Sequence, residues 1–246
     1  MDTNTNKVII EVRAGAGGDE ASIFAGDLVH MYQRYAQKKG WKFAELDSNS
    51  TSLDGYKTFI GRIEGLGVYD ALKQESGVHR VQRIPKTEKG GRIHTSTASV
   101  AILPVVDERE VVINPNDLEI SFFRSSGPGG QNVNKVETAV RIVHKPTGVV
   151  VASQSERSQN ANKENAMGVL RARIFEAMRE QQVASMGALR NEQIGSNERS
   201  EKIRTYNFPE DRITDHRIGK KFHNIPKILE GNLDPIIEAF QKSPSA

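Results

Sequence analysis

The chain has 246 residues, 37% of them hydrophobic and 26% charged, with a formal net charge of +3 and no cysteine. That length supports a substantial core and two compact units, at about 100–200 residues per domain. The lack of cysteine excludes disulfide frameworks and thiolate zinc sites and fits a reducing cytosol, no run of about 18 apolar residues spans a membrane, and a small positive charge allows a polyanionic partner without requiring one. A cytoplasmic protein with no membrane association is expected. Val8 to Arg13 reads as a strand, followed by the glycine turn Ala14-Gly15-Ala16-Gly17-Gly18 and a helix from about Ala21 to Lys39. Ile23, Phe24, Leu28, Met31, Tyr32 and Tyr35 recur at helical spacing; Asp19 is positioned to cap the helix and Lys38-Lys39-Gly40 to close it. Trp41–Leu46, Tyr56–Ile63, Val78–Ile84 and Ala98–Leu103 read as strands, with a short helix near Val68 to Gln74. The pattern is α+β.

Pro104 to Asn116 is acidic and then proline-bearing, and reads as the crossing into a second unit. There Asp117–Phe123, Ala139–His144 and Gly148–Ser153 read as strands, and a helix is expected from about Asn162 to Val183, with Met167, Leu170, Ile174, Phe175 and Met178 on its apolar face. After the polar stretch Asn191 to Glu201, order resumes near Arg204-Thr205-Tyr206-Asn207-Phe208-Pro209, expected to pack back on the first unit. The expected division is 1–105 with 200–246 as one domain and 106–199 as the other.

Between two strands of the second unit lies Arg124-Ser125-Ser126-Gly127-Pro128-Gly129-Gly130-Gln131-Asn132-Val133-Asn134. Its glycines permit a tight turn, or else a loop whose backbone closely approaches another molecule. A P-loop is excluded, because Asn132 stands where its second glycine would fall. With no cysteine, no nucleophile–base pair and no metal-ligand cluster, the reactive capacity of the segment is read as lying in backbone N–H groups and one neutral amide. That points to positioning and electrostatic stabilisation rather than covalent catalysis.

Two further constellations stand out. Gln82-Arg83-Ile84-Pro85-Lys86-Thr87 with Gly91-Arg92-Ile93-His94-Thr95 reads as strand, charged turn, strand, or as groups able to read single-stranded bases. Gly15-Ala16-Gly17-Gly18-Asp19-Glu20 lies between a strand and a helix but lacks the last glycine of a dinucleotide fingerprint and the acid about twenty residues on.

Gly129-Gly130-Gln131 within its loop resembles the signature of class I peptide chain release factors. Val8 to Glu20, Gly77 to Thr97, Glu156-Arg157-Ser158-Gln159 and Arg204 to Arg217 resemble the family's bacterial and organellar members. Pro85-Lys86-Thr87 resembles the Pro-x-Thr motif of the type 1 factors, which read UAA and UAG, with Lys86 larger than the small residue expected in the middle; type 2 factors carry Ser-Pro-Phe there.

The resemblance implies a mixed α/β decoding domain, completed by the C-terminal segment, plus an inserted α+β domain bearing the Gly-Gly-Gln loop. It implies ribosomal and messenger RNA and peptidyl-tRNA as partners, no cofactor or metal, and hydrolysis of the peptidyl-tRNA ester only together with the ribosome, so no free-standing enzyme. The Gln131 backbone N–H would stabilise the reacting ester, its side chain would admit water, and Gly129 and Gly130 would supply conformations closed to other residues. Gln131 is an expected target of a glutamine N5-methyltransferase. For the codon, Gly17 and Glu20 would take the first uracil, Thr87 the first two bases, His94 would stack at the second, and Gln82 with Thr95 would read the third. Arg157, Lys163, Arg171 and Arg173 are candidate ribosomal RNA contacts or a solvated helix face, and Arg212, His216, Arg217, Lys220 and Lys221 leave the same choice open. A monomer is expected.

Family members usually carry a helical domain ahead of the strand that Val8 to Arg13 matches, so that domain's contacts, at the ribosomal stalk and to a recycling GTPase, are not carried over. A rescue factor for stalled ribosomes would share the loop. Such proteins generally lack the decoding segment or end in a basic tail, which Phe240 to Ala246 does not resemble.

Overall fold

The computed structural model describes residues 4–85, 88, 90–105, 113–124, 137–195 and 200–242. The chain forms two compact units, 1–107 with 186–246 and 108–185.

In the first unit, strands β1 (Asn4–Ala14), β2 (Lys42–Ser50), β3 (Tyr56–Glu64), β4 (Gly77–Arg83), β5 (His94–Val105), β9 (Lys202–Asn207), β10 (Arg212–Asp215) and β11 (Lys221–His223) form one sheet. The order is β11-β10-β9-β4-β5-β1-β3-β2. All pairings are antiparallel except β4 with β9, where the returning chain runs parallel to β4. The antiparallel blocks and this single parallel join make the sheet mixed.

Helix α1 (Asp19–Lys38) covers one face. Phe24, Leu28, Met31, Tyr32 and Tyr35 pack with Val8, Ile10, Val12, Phe59, Ile63, Val100 and Ile102, the inward residues of alternating strands. The helix begins two residues before its sequence-based start. Gly18 is the N-cap and no side chain caps it, so Asp19 is the first helical residue and acts through its charge at the positive end of the helix. At the other end Trp41 N donates to Ala36 O (2.9 Å) and Gly40 N to Gln37 O (3.1 Å), with Gly40 at φ +69°, the hydrogen-bond pattern of a glycine-terminated helix. The short helices α2 (Val68–Leu72), α4 (Ile225–Leu229) and α5 (Asp234–Gln241) complete the layer, with Ile225, Ile228, Leu233 and Ile236 buried in the same core.

In the second unit β6 (Leu118–Phe123), β7 (Ala139–His144) and β8 (Val149–Ser153) make an antiparallel sheet in the order β6-β7-β8. Val140, Ile142 and Val151 pack with Ala166, Leu170 and Ile174 of α3 (Gln159–Ile194). This helix extends well beyond the 162–183 span that its apolar stripe predicts. Its last residues belong to the first unit, where Arg190 grips Glu11 (Nε to Oε2 2.6 Å, Nη2 to Oε1 2.8 Å) and the Gln193 amide pairs with both backbone groups of Ile102 (3.0 and 3.1 Å). Those partners are remote in sequence, so periodicity could not reveal them. No helix among the described residues is long and apolar enough to cross a membrane.

Candidate functional site

Residues from three separate stretches meet at one end of the large sheet. The loop after β1 is sewn to β5: Gly15 N donates to Thr97 O (2.8 Å), Thr97 N to Ala16 O (2.9 Å) and Ala16 N to Thr97 Oγ1 (2.9 Å). This brings Gly17 against Ser96, where a Cβ would lie 2.6 Å from Ser96 Cβ, and the backbone there has φ +138°. Only glycine accepts both the conformation and the approach. The loop then delivers Glu20 to the first turn of α1.

Gln82 and Thr95 are cross-strand partners in β4 and β5, and Arg83 pairs with His94 one position on. On the other side of β4, Gln82 pairs with Asn207 of β9. Thr95, Gln82 and Asn207 therefore form one half-buried polar row across three strands. Pro85 is buried just beyond β4; Lys86 and Thr87 lie outside the described residues.

Three residues that sequence reasoning passed over organise this end. Glu20 is 4% exposed and accepts from Arg83 Nε at 2.5 Å; Arg83 Nη1 reaches Asp27 Oδ2 at 2.7 Å and its guanidinium lies 5.2 Å from the Phe208 ring centre. Burial opposes the Arg83 charge, but Asp27 and Glu20 reverse that effect and raise its pKa. Glu20 Oε2 and Arg83 Nη2 are buried with no hydrogen-bond partner among the described residues. Glu88 lies between Pro85 and His94 in sequence and bonds to both sides. Its N donates to Pro85 O (3.1 Å), and its carboxylate accepts from Gly90 N (2.6 Å) and lies 2.8 Å from His94 Nε2. The imidazole is thus steered while its side chain stays 46% exposed, free to meet a flat partner. Neither Arg83 nor Glu88 has a spacing signal, since each acts across a turn or from another strand.

Beneath the sheet a second cluster was also illegible. Arg204 is fully buried and bonds Glu75 twice (2.6 and 2.8 Å) and Asp215 (3.2 Å), while Tyr32 Oη donates to Glu75 at 3.1 Å. Burial would raise the Glu75 pKa, but Arg204 overrides it and holds the carboxyl at about 2. His79 Nε2 donates to Glu75 O (2.9 Å), leaving Nδ1 to accept from Tyr206 Oη (3.4 Å), so the ring is neutral; burial first, then Arg204, lowers it to about 4. Arg217 joins through Asp215 and Gln74 O, its guanidinium 4.4 Å from the Phe240 ring centre. Of the basic residues near the C-terminal end, Arg217 is therefore part of this cluster and Arg212 pairs with Glu210 (2.7 Å), while Lys220 and Lys221 are exposed.

In the second unit Gly129, Gly130 and Gln131 lie outside the described residues, but their supports do not. Phe123 and Ala139, at the two ends of the connection, are cross-strand partners. Gln159 Nε2 donates to Glu137 O (2.9 Å), and fully buried Asn162 donates to Thr138 O and Glu156 O (2.9 Å each) and accepts from Ser153 Oγ (3.2 Å) and Glu156 N (3.0 Å). One side chain thus ties the returning flank of the loop to β8 and to the start of α3. Arg157, Lys163, Arg171 and Arg173 are exposed. Arg173 bonds Val150 O (3.1 Å), and Arg171, two positions away on the helix, points to a different side. No group of three or more metal-ligating side chains occurs among the described residues.

The fold and these motifs define a protein of translation termination. The PCRF domain family matches residues 1–100 and the RF-1 domain family residues 107–217. Peptide chain release factor 1 of Carboxydothermus hydrogenoformans is 59% identical over 97% of this chain and 67% of its own length. That of Acetivibrio thermocellus is 56% identical over 94% and 64%. The solved structure of RF2 of Thermus thermophilus is similar with a TM-score of 0.57 at 38% identity, covering 95% of this chain and 67% of that one. The chain belongs to the class I peptide chain release factor family, among its type 1 members, and spans about two thirds of the length of these relatives.

Proposed function

We propose that this chain recognises UAA and UAG in the ribosomal A site and triggers hydrolysis of peptidyl-tRNA in the peptidyl transferase centre, acting in the cytoplasm as a monomer. The reading is carried by one observation: Gly17, Glu20, Gln82, His94 and Thr95, drawn from three stretches of sequence, share one end of a sheet in a member of this family. The first unit, with the roles of 1–105 and 200–246, decodes; the second, within 106–199, carries the Gly-Gly-Gln loop.

At the codon, the strained glycine loop and the first turn of α1 offer backbone groups to the first uracil. The Thr87 hydroxyl both donates and accepts at the first two bases. His94, steered by Glu88, stacks at the second base, and Gln82 with Thr95 offers an amide and a hydroxyl to the third. At the other site, water attacks the ester carbonyl, and the backbone N–H of Gln131 donates to the oxyanion or to the departing 3′ oxygen. One such donor in a closed site contributes about 2.7–4 kcal/mol. The ribosome supplies the rest of the site, so the isolated protein is not a hydrolase. Gln131 is the site for a glutamine N5-methyltransferase, and exposed Arg157, Lys163, Arg171 and Arg173 are candidate ribosomal RNA contacts.

The test is peptide release from ribosomes carrying peptidyl-tRNA, with UAA, UAG, UGA, a sense codon or no codon in the A site. Release on UAA and UAG alone is expected. Equal release with an empty A site would replace termination with ribosome rescue, and no release on any programme would overturn both.

A further inference from the structure

The sheet face that carries the codon-reading row continues past it to Arg80. Arg80 stands two residues before Gln82 on β4, so both side chains project from the same face about 6.6 Å apart. Next to the row Thr95–Gln82–Asn207, the register sets Arg80 beside Thr205 of β9, and Thr205 beside Thr214 of β10. Arg80 Nε donates to Thr205 Oγ1 (3.2 Å), and that oxygen is 2.7 Å from His216 Nε2. The threonine hydroxyl, with one proton and two lone pairs, thus joins the guanidinium to the imidazole. Both guanidinium Nη groups are left without a hydrogen-bond partner among the described residues.

The charge pattern sets this arginine apart. Every other described arginine of the first unit, from Arg13 to Arg217, sits in an ion pair with a carboxylate, and Arg80 does not. Its electrostatic neighbour His216 can also carry positive charge. The His216 pKa is lowered by burial and then by Lys202 and Arg80, against an opposing effect of Asp215, and burial also lowers that of Arg80. The first unit pairs its other described arginines with carboxylates and leaves Arg80 half-buried against Thr205, which keeps a fork of donors for an anion from outside. A planar guanidinium with two free Nη groups suits a phosphate, which it can hold through two parallel bonds.

We propose that Arg80, held by Thr205 with His216 on the same hydroxyl, binds an RNA phosphodiester next to the base read by Gln82 and Thr95. The assignment rests on the codon-reading role proposed above for that row. Two strands of RNA could supply the phosphate, the message immediately 3′ of the codon or ribosomal RNA. The chemistry is shared: a single charge-assisted contact that adds affinity without reading a base.

The experiment measures UAA-dependent release against concentration of the chain at several salt concentrations, on two messages, one ending at the third codon nucleotide and one extended beyond it. On the extended message Arg80→Ala should raise the half-saturating concentration about tenfold and flatten the log–log salt dependence by about 1. The rate at saturation and the thermal midpoint should stay those of the parent. Arg80→Lys should keep most of the salt slope, and Arg80→Gln, which preserves length and packing, should lose it. If the effect vanishes on the truncated message, the phosphate belongs to the message; if it persists there, it belongs to ribosomal RNA. Parental half-saturation and salt slope for Arg80→Ala and Arg80→Gln on both messages would overturn the proposal. A parent that shows no codon-dependent release would instead strike at the termination reading, which separates the two failures.

Discussion

Arg204→Met tests whether the buried ion cluster holds the first unit together. The substitution keeps a long apolar stem but takes the paired guanidinium from fully buried Glu75, while Asp215 keeps only Arg217. Breaking a buried pair by removing one partner costs about 3–5 kcal/mol. A second route gives a similar size: depression of Glu75 from 4.5 to about 2 corresponds to about 3 kcal/mol of stabilisation of the charged form. In thermal unfolding at neutral pH, the transition of the first unit should fall by on the order of 10 °C. The double variant Arg204→Met/Glu75→Gln should recover part of that loss, because the stranded carboxylate is gone. A loss under about 1 kcal/mol, or a double variant no more stable than the single one, would refute the assignment of Arg204 as the counter-ion on which this core depends.

The same cluster sets an acid limit. His79 is held neutral near pKa 4 against an ordinary 6.5, so its contribution is complete above about 6.5 and is lost as pH falls toward 4. Glu75 adds its own loss between 4.5 and about 2, so the unfolding free energy should decline steadily below pH 6.5, and His79→Gln should flatten the upper part of that decline. Gly17→Ala should cost about 1–3 kcal/mol from the left-handed backbone and the clash with Ser96, and should weaken UAA-dependent binding; unchanged stability and binding would show that the loop adapts. Asn162→Ala should destabilise the second unit by about 2–4 kcal/mol by orphaning Thr138 O and both backbone groups of Glu156. Amide exchange near Glu156 should accelerate and release should slow, with codon-dependent binding intact.

Much of this architecture was legible because its signals are local. The stripe Phe24, Leu28, Met31, Tyr32, Tyr35 and the terminating Gly40 marked α1, and β4 and β5 were visible on either side of the charged turn. What stayed hidden depends on partners far away in sequence. The end of α3 has no apolar stripe and is held by Glu11 and Ile102. Arg204, Glu75 and Asp215 look like solvated charges until the sheet closes over them. At the end of the sheet where they meet, Gly17, Glu20, Gln82, His94 and Thr95 were picked out through family resemblance. Arg83 and Glu88, which hold two of them, have no motif of their own.

The central claim is a division of labour between two sites, and its most direct measurement is the release rate on UAA-programmed ribosomes as a function of factor concentration for Gln131→Ala and Thr87→Ala. Gln131→Ala should lower the rate at saturation or loosen its selectivity for water, with the half-saturating concentration nearly that of the parent. Thr87→Ala should raise the half-saturating concentration and leave the saturated rate nearly unchanged. Equal loss of binding in both variants would contradict the account.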